Sequence, residues 1–83
     1  MDVESEIIQL LDGILSLNGR SATFSRSTAL LGAMPELDSM AVLSLITGLG
    51  DRFGIDIDDD EIHADLFLTV GSLVDFVNAK LSP

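Results

Sequence analysis

The sequence predicts an all-α protein, a four-helix bundle of three longer helices and one short member, with a long loop between the first two. Three observations lead there. Apolar residues recur every three or four positions in three separate stretches, as one face of a helix requires. Residues that tolerate the left-handed conformation closing a helix follow two of these stretches, at Asn18-Gly19 and at Gly54. The one alternating stretch, Ile55 to Asp58, has no second strand to pair with and reads as an extended loop.

The first helix is predicted over residues 3–17, where Val3, Ile7, Leu10, Leu11, Ile14 and Leu17 draw one stripe. Asp2, Glu4 and Glu6 lie at its start, where the helix dipole favours negative charge. From Arg20 to Leu37 the chain is rich in Ser, Thr and Gly, and Phe24, Leu30 and Leu31 are expected to pin this loop to the core. So long a loop in so small a domain points to function or to a short helix around Thr28 to Leu31.

The second helix is predicted from Ser39 to Phe53, with Asp38 as N-cap, Met40, Leu43, Ile46, Leu49 and Phe53 on one face, and Gly54 as stop. Gly48 and Gly50 each cost about 1 kcal/mol relative to Ala inside a helix. Either packing holds this segment or something, such as a partner's backbone, needs the missing side chains. Asp59 to Ala64 is expected to form the short third helix, with Ile62 facing inward. Thr69 then caps the last helix, whose stripe is Val70, Leu73, Val74, Val77 and Leu81, with Lys80 at its negative end.

The chain of 83 residues reads as one domain, 1–83, large enough for one core and too small for a separate catalytic domain. Apolar residues make up 47% and mean hydropathy is +0.45, so disorder is not expected despite a net charge of -10. Fourteen acids against Arg20, Arg26, Arg52 and Lys80 argue against nucleic acid or an anionic membrane as partner and favour basic protein surfaces. There is no cysteine, hence no disulfide framework and no thiolate metal site. The start, Met1-Asp2-Val3-Glu4, is acidic where a signal peptide is basic, and no apolar run approaches the roughly 20 residues of a membrane span. A cytoplasmic location is the resulting expectation.

Ser39 is the candidate working residue. The loop delivers its hydroxyl to the start of a helix, where unpaired amides and the dipole receive anions, so a phosphate ester on Ser39 is well placed. Serine is common at helix starts, and position alone assigns no role. An esterase reading fails because no Gly-x-Ser-x-Gly elbow surrounds Ser39 and His63 is the one histidine. Asp56, Asp58 and Asp60 alternate like the start of a calcium loop. That loop then needs Gly where Glu61 stands and Glu where Phe67 stands, so a solvated acidic face is expected and no metal site.

Taken together, these residues resemble the acyl carrier proteins and the related peptidyl and aminoacyl carrier domains. The resemblance covers nearly the whole chain. Its most specific part is Leu37-Asp38-Ser39-Met40, where the family reads Asp-Ser-Leu and the serine bears 4′-phosphopantetheine; Met40 replaces the leucine. Leu45, Leu49, Phe53-Gly54-Ile55 and Thr69-Val70 with Leu73 support it.

The resemblance implies a bundle of acyl-carrier type and a stand-alone carrier without catalytic activity of its own. A phosphopantetheinyl transferase moves the arm from coenzyme A to Ser39, with Asp38 and Met40 as flanking recognition residues, and the arm then holds an acyl group as a thioester. A serine without a base is a weak nucleophile at neutral pH, so activation falls to the transferase. The other implied partners are acyl-loading and acyl-transferring enzymes with basic or apolar docking surfaces, and the free carrier is expected to be a monomer.

Carriers of general fatty-acid synthesis have an acidic face on the second helix. Here Ala41, Ser44 and Gly50 occupy matching positions, leaving Asp51 acidic, and the charge lies at Asp56 to Asp65. A specialised pathway is therefore expected rather than the housekeeping one. Ile46, Leu66, Phe67 and Leu68 are candidates to shelter an acyl chain. The alternatives are an aminoacyl or peptidyl carrier, and an unmodified acidic helical interaction module.

Overall fold

Asp2 opens the first helix by accepting a hydrogen bond from the Ser5 amide at 3.4 Å, and Asp38 opens the second by accepting one from Ala41 at 2.9 Å. At the third, Thr69 and Ser72 cap each other's backbone reciprocally, a capping box that satisfies two otherwise orphaned donors. These caps start α1 (Val3–Leu15), α2 (Ser39–Phe53) and α3 (Val70–Leu81) in a computed structural model that describes residues 2–82. Three 3-10 turns complete the order: Arg20–Thr23 between α1 and α2, then Asp59–Glu61 and Ala64–Phe67 between α2 and α3. α1 packs on both α2 and α3, and one core fills the space between them, with Ile7, Leu11, Leu45, Leu49, Leu73 and Val77 wholly buried.

The all-α expectation holds, and α2 and α3 run over the predicted residues. α1 is two residues shorter than predicted. Ser16 takes the left-handed conformation (φ 54°), and both Ser16 and Leu17 donate backbone hydrogen bonds to the Asp12 carbonyl. Asp12 also grips the following turn with its side chain, accepting from the Gly19 amide at 3.1 Å and from the buried Ser21 hydroxyl at 2.6 Å. Turning early lets Leu17 reach the core, where it is fully buried. That burial offsets the roughly 1–2 kcal/mol that a non-glycine residue loses in the left-handed region.

The short fourth member is two 3-10 turns separated by Ile62 and His63, both in extended conformation. Isolated helices this short are marginal, and acids crowded at Asp56 to Asp60 repel at helical spacing. The second turn drives Leu66 and Phe67 into the core, while Ile62 is only half-buried.

No helix forms at Thr28 to Leu31. This stretch runs antiparallel to residues 67–71: Leu30 donates to Leu68 at 2.8 Å, Leu31 to Phe67 at 3.0 Å, Val70 to Thr28 at 3.1 Å and Gly71 to Arg26 at 2.9 Å. Backbone hydrogen bonds, together with buried Leu30 and Leu37, hold the long loop. The clasp requires Gly71, where a Cβ would lie 2.9 Å from the Arg26 carbonyl oxygen.

The core face of α2 is Leu45, Leu49 and Phe53, flanked by half-buried Val42 and Ile46. Met40 and Leu43, expected on that face, are 71% and 60% exposed. The helix is apolar on two sides, and spacing alone does not say which side meets the core. Its two glycines have internal reasons. A Cβ on Gly48 would fall 2.9 Å from Leu10 Cδ1, so its absence lets α1 approach, and one on Gly50 would crowd the Ile55 carbonyl at 3.3 Å. Of the two reasons expected, packing within the fold is the one these contacts support.

Candidate functional site

The loop closes on α2 through short hydrogen-bonded turns. Met34 donates to Leu30 at 2.9 Å, Leu37 to Met34 at 3.1 Å and Asp38 to Glu36 at 3.1 Å. Buried Leu37 and half-buried Val42 occupy the two positions, before the cap and in the second turn, that set the direction in which a chain enters a helix. Arg20 braces this approach from the far side, donating to Glu36 at 2.7 Å. That guanidinium holds the Glu36 carboxyl below the usual carboxylate range.

Ser39 is thus the first residue of α2 and is exposed, with Asp38 and Met40 exposed on either side. The Asp38 carboxylate is committed to the Ala41 amide, and the Asp38 carbonyl accepts from Val42 at 2.9 Å. This leaves the amides of Ser39 and Met40 without a hydrogen-bond partner among the described residues. Two free donors and the positive end of a fifteen-residue helix lie beside the Ser39 hydroxyl. A phosphodiester on that oxygen fits both the charge and the space.

Two other serine hydroxyls are spent on the fold. Ser21 is buried against Asp12, and Ser72 donates to the carbonyls of Leu66 and Thr69, both at 2.7 Å.

Beside Ser39 opens a cleft of about 630 Å³ whose lining is shared by Leu31, Leu37, Val42, Leu43, Ile46 and Ile62, together with Asp38 and Ser39. Of the four residues expected to shelter an acyl chain, only Ile46 lines it. Leu66 and Phe67 belong to the core, and Leu68 is 46% exposed outside the lining. The signal that could have found Ile62 is its place just after the acidic turn. The half-buried ion pair of Glu61 with Lys80, at 2.6 Å, holds that turn against α3 and keeps the Glu61 carboxyl below its ordinary range. His63 is exposed between the two turns and does not line the cleft.

Against this geometry, residues 6–77 match the family profile described as phosphopantetheine attachment site. The solution NMR structure of a holo acyl carrier protein from Nitrosomonas europaea is 47% identical, with a TM-score of 0.89, over 98% of this chain and 96% of that one. No match was found among curated protein sequences. The chain belongs to the phosphopantetheine-attachment family, and its fold is of acyl-carrier type. 4′-Phosphopantetheine, attached covalently, is the cofactor of such a site. Among the described residues, no helix is long and apolar enough to cross a membrane.

Proposed function

We propose that this protein is a single-domain acyl carrier that receives 4′-phosphopantetheine on Ser39 and presents acyl thioesters to partner enzymes of a specialised pathway, without catalysing a reaction itself. The observation that carries the reading is the exposed Ser39 hydroxyl at the capped start of α2, beside two unpartnered amides and an apolar cleft. When bound, the arm supplies a thiol on a long flexible tether. The chain's residues supply the rest: Asp38 orders the first turn, the amides of Ser39 and Met40 face the phosphate, and Leu31, Val42, Ile46 and Ile62 offer an apolar wall to whatever the thiol holds.

Asp38 is a poor base for Ser39 because its carboxylate already accepts from Ala41. Deprotonation of the hydroxyl therefore falls to the transferase. The specialised-pathway reading rests on α2, which carries Asp51 as its one acid. A cytoplasmic, monomeric carrier that meets a transferase and then acyl-loading and acyl-transferring enzymes completes the proposal.

Incubation with coenzyme A and a broad-specificity phosphopantetheinyl transferase, followed by intact mass, tests it. A gain of one arm per chain is expected. An unchanged mass contradicts the reading in favour of an unmodified interaction module, and loading by aminoacyl rather than acyl donors would move the cargo to the aminoacyl class.

A further inference from the structure

The walls of the cleft beside Ser39 are unequally supported. Leu31 is fixed by its amide, which donates to the Phe67 carbonyl at 3.0 Å within the clasp, and Leu37 is buried. Val42, Leu43 and Ile46 belong to α2 itself. Ile62 comes from residues 56–63 and has no such frame. The turn before it, Asp59–Glu61, contains no buried residue. The backbone hydrogen bonds of this segment are local: Glu61 donates to Asp58 at 2.9 Å and Ile62 to Asp59 at 3.1 Å. Among the described residues, one hydrogen bond joins the segment to an α-helix, from Lys80 Nζ on α3 to Glu61 Oε1 at 2.6 Å.

Charge makes that single bond matter. Asp56, Asp58, Asp59, Asp60 and Glu61 put five acids and no base into six residues of a protein whose net charge is -10. Repulsion therefore favours movement of the segment away from the rest of the chain. Lys80 is the one cation paired with it among the described residues. The ammonium is seated over Phe76, one turn earlier on α3, with Nζ 5.7 Å from the ring centroid. With 26% and 27% of their side chains exposed, Lys80 and Glu61 form the most shielded of the four ion pairs, so salt screens this pair least.

We propose that Lys80 is a positioning residue for the cleft: through Glu61 it latches residues 56–63 as a flap whose inner face is Ile62, and so sets how well an apolar group carried beside Ser39 is kept from water. The inference rests on the carrier reading above. Release of the latch lets the flap swing out, and attack on the carried thioester then follows the population of the open form.

Hydroxylamine, which breaks the thioester C–S bond and frees the arm's thiol, tests this on the chain loaded by a broad-specificity transferase from acetyl- or octanoyl-coenzyme A. Cleavage is read by intact mass. In wild type the octanoyl thioester is expected to be cleaved more slowly than the acetyl one. Lys80→Met keeps the apolar stem on Phe76 and removes the charge, and Glu61→Gln removes the charge of its partner. Each is expected to speed octanoyl cleavage about threefold, as loss of a partly exposed ion pair allows, with acetyl cleavage unchanged. Lys80→Arg keeps a cation and should stay near wild type. Arg26→Met removes another ion pair of α3, with Asp75, and the same charge, but touches no residue of the flap; it should leave both rates unchanged. Ile62→Ala should speed octanoyl cleavage, and adding Lys80→Met to it should have little further effect, because the lysine acts through that side chain.

Circular dichroism matching the wild type keeps misfolding from mimicking these results. Octanoyl cleavage at the wild-type rate in both Lys80→Met and Glu61→Gln overturns the latch, as does an equal rise in Arg26→Met. Additive effects of Ile62→Ala and Lys80→Met overturn the route through Ile62. Wild-type octanoyl cleavage as fast as acetyl also overturns the inference, while the loading itself leaves the carrier reading intact. Failure of the wild-type chain to load either arm overturns both.

Discussion

Arg20 lies 2.7 Å from Glu36 through Nη2–H···Oε2 while its Nε–H holds the Leu17 carbonyl at 3.1 Å, so one side chain ties the end of α1 to the approach of α2. The Glu36 carboxyl is shifted downward by that bond. A carboxylate with a lowered folded pKa adds stability above its unfolded value of 4.5, and the contribution is lost as pH falls through the folded value. Glu36→Gln is therefore expected to be less stable than wild type at neutral pH, with the two converging in acid. Urea titrations at about pH 7 and about pH 3.5 check this. A gap that widens in acid would contradict the sign.

Much of this architecture was legible because local signals agree. Asp38, Thr69 and Gly54 mark helix boundaries by chemistry that neighbouring residues satisfy. The misses are nonlocal. Nothing near Leu17 announces that Asp12 will hold Gly19 and Ser21 and turn the chain early. The clasp of residues 26–31 on 67–71 joins segments about forty positions apart through backbone groups, which carry no sequence signature. The exposed place of Ser39 at the start of α2 was readable because Asp38, Ser39 and Met40 are consecutive. The cleft was not, because Leu31 and Ile62 reach it from the segments on either side of α2 in the chain. Arg52 stands among the acids of the sequence, yet its partner in space is Glu6 on α1.

Asp12→Ala removes the acceptor of a buried serine hydroxyl and of the Gly19 amide together. A buried donor left without a partner costs about 1–3 kcal/mol. The melting temperature should fall by at least about 4 °C, as expected for a domain of this size. Asp12→Asn keeps an acceptor oxygen and is expected to lose less. Equal losses would show that charge, not the hydrogen bond, holds the turn.

Two glycines are expected to respond with opposite signs. Gly13 has no heavy atom within 4 Å of an added Cβ and is exposed in the interior of α1, so Gly13→Ala should stabilise by about 0.5–1 kcal/mol. Gly71→Ala gains the same propensity but meets the Arg26 carbonyl oxygen at 2.9 Å. Overpacking of about 1–3 kcal/mol outweighs that gain, so this variant should be destabilised. Chemical denaturation of both variants decides. Stabilisation of Gly71→Ala would mean that the clasp yields.

Of the seven acids from Asp51 to Asp65, only Glu61 is in an ion pair among the described residues. Folding brings the others together at the surface, and screening acts within about 8 Å at physiological salt. Millimolar Mg²⁺ or Ca²⁺ should raise the melting temperature relative to EDTA. Superimposable scans would show that this repulsion does not limit stability.

Ser39 alone is expected to accept the arm. Wild type and Ser39→Ala, treated with coenzyme A and a broad-specificity transferase, are compared by intact mass and by fragmentation that localises any adduct. One phosphopantetheine is expected on wild type at Ser39, none on Ser39→Ala, and the same helical circular dichroism in both, since Asp38 rather than Ser39 caps α2. An adduct that persists in Ser39→Ala, or that maps to Ser5, Ser25 or Ser44, would contradict it.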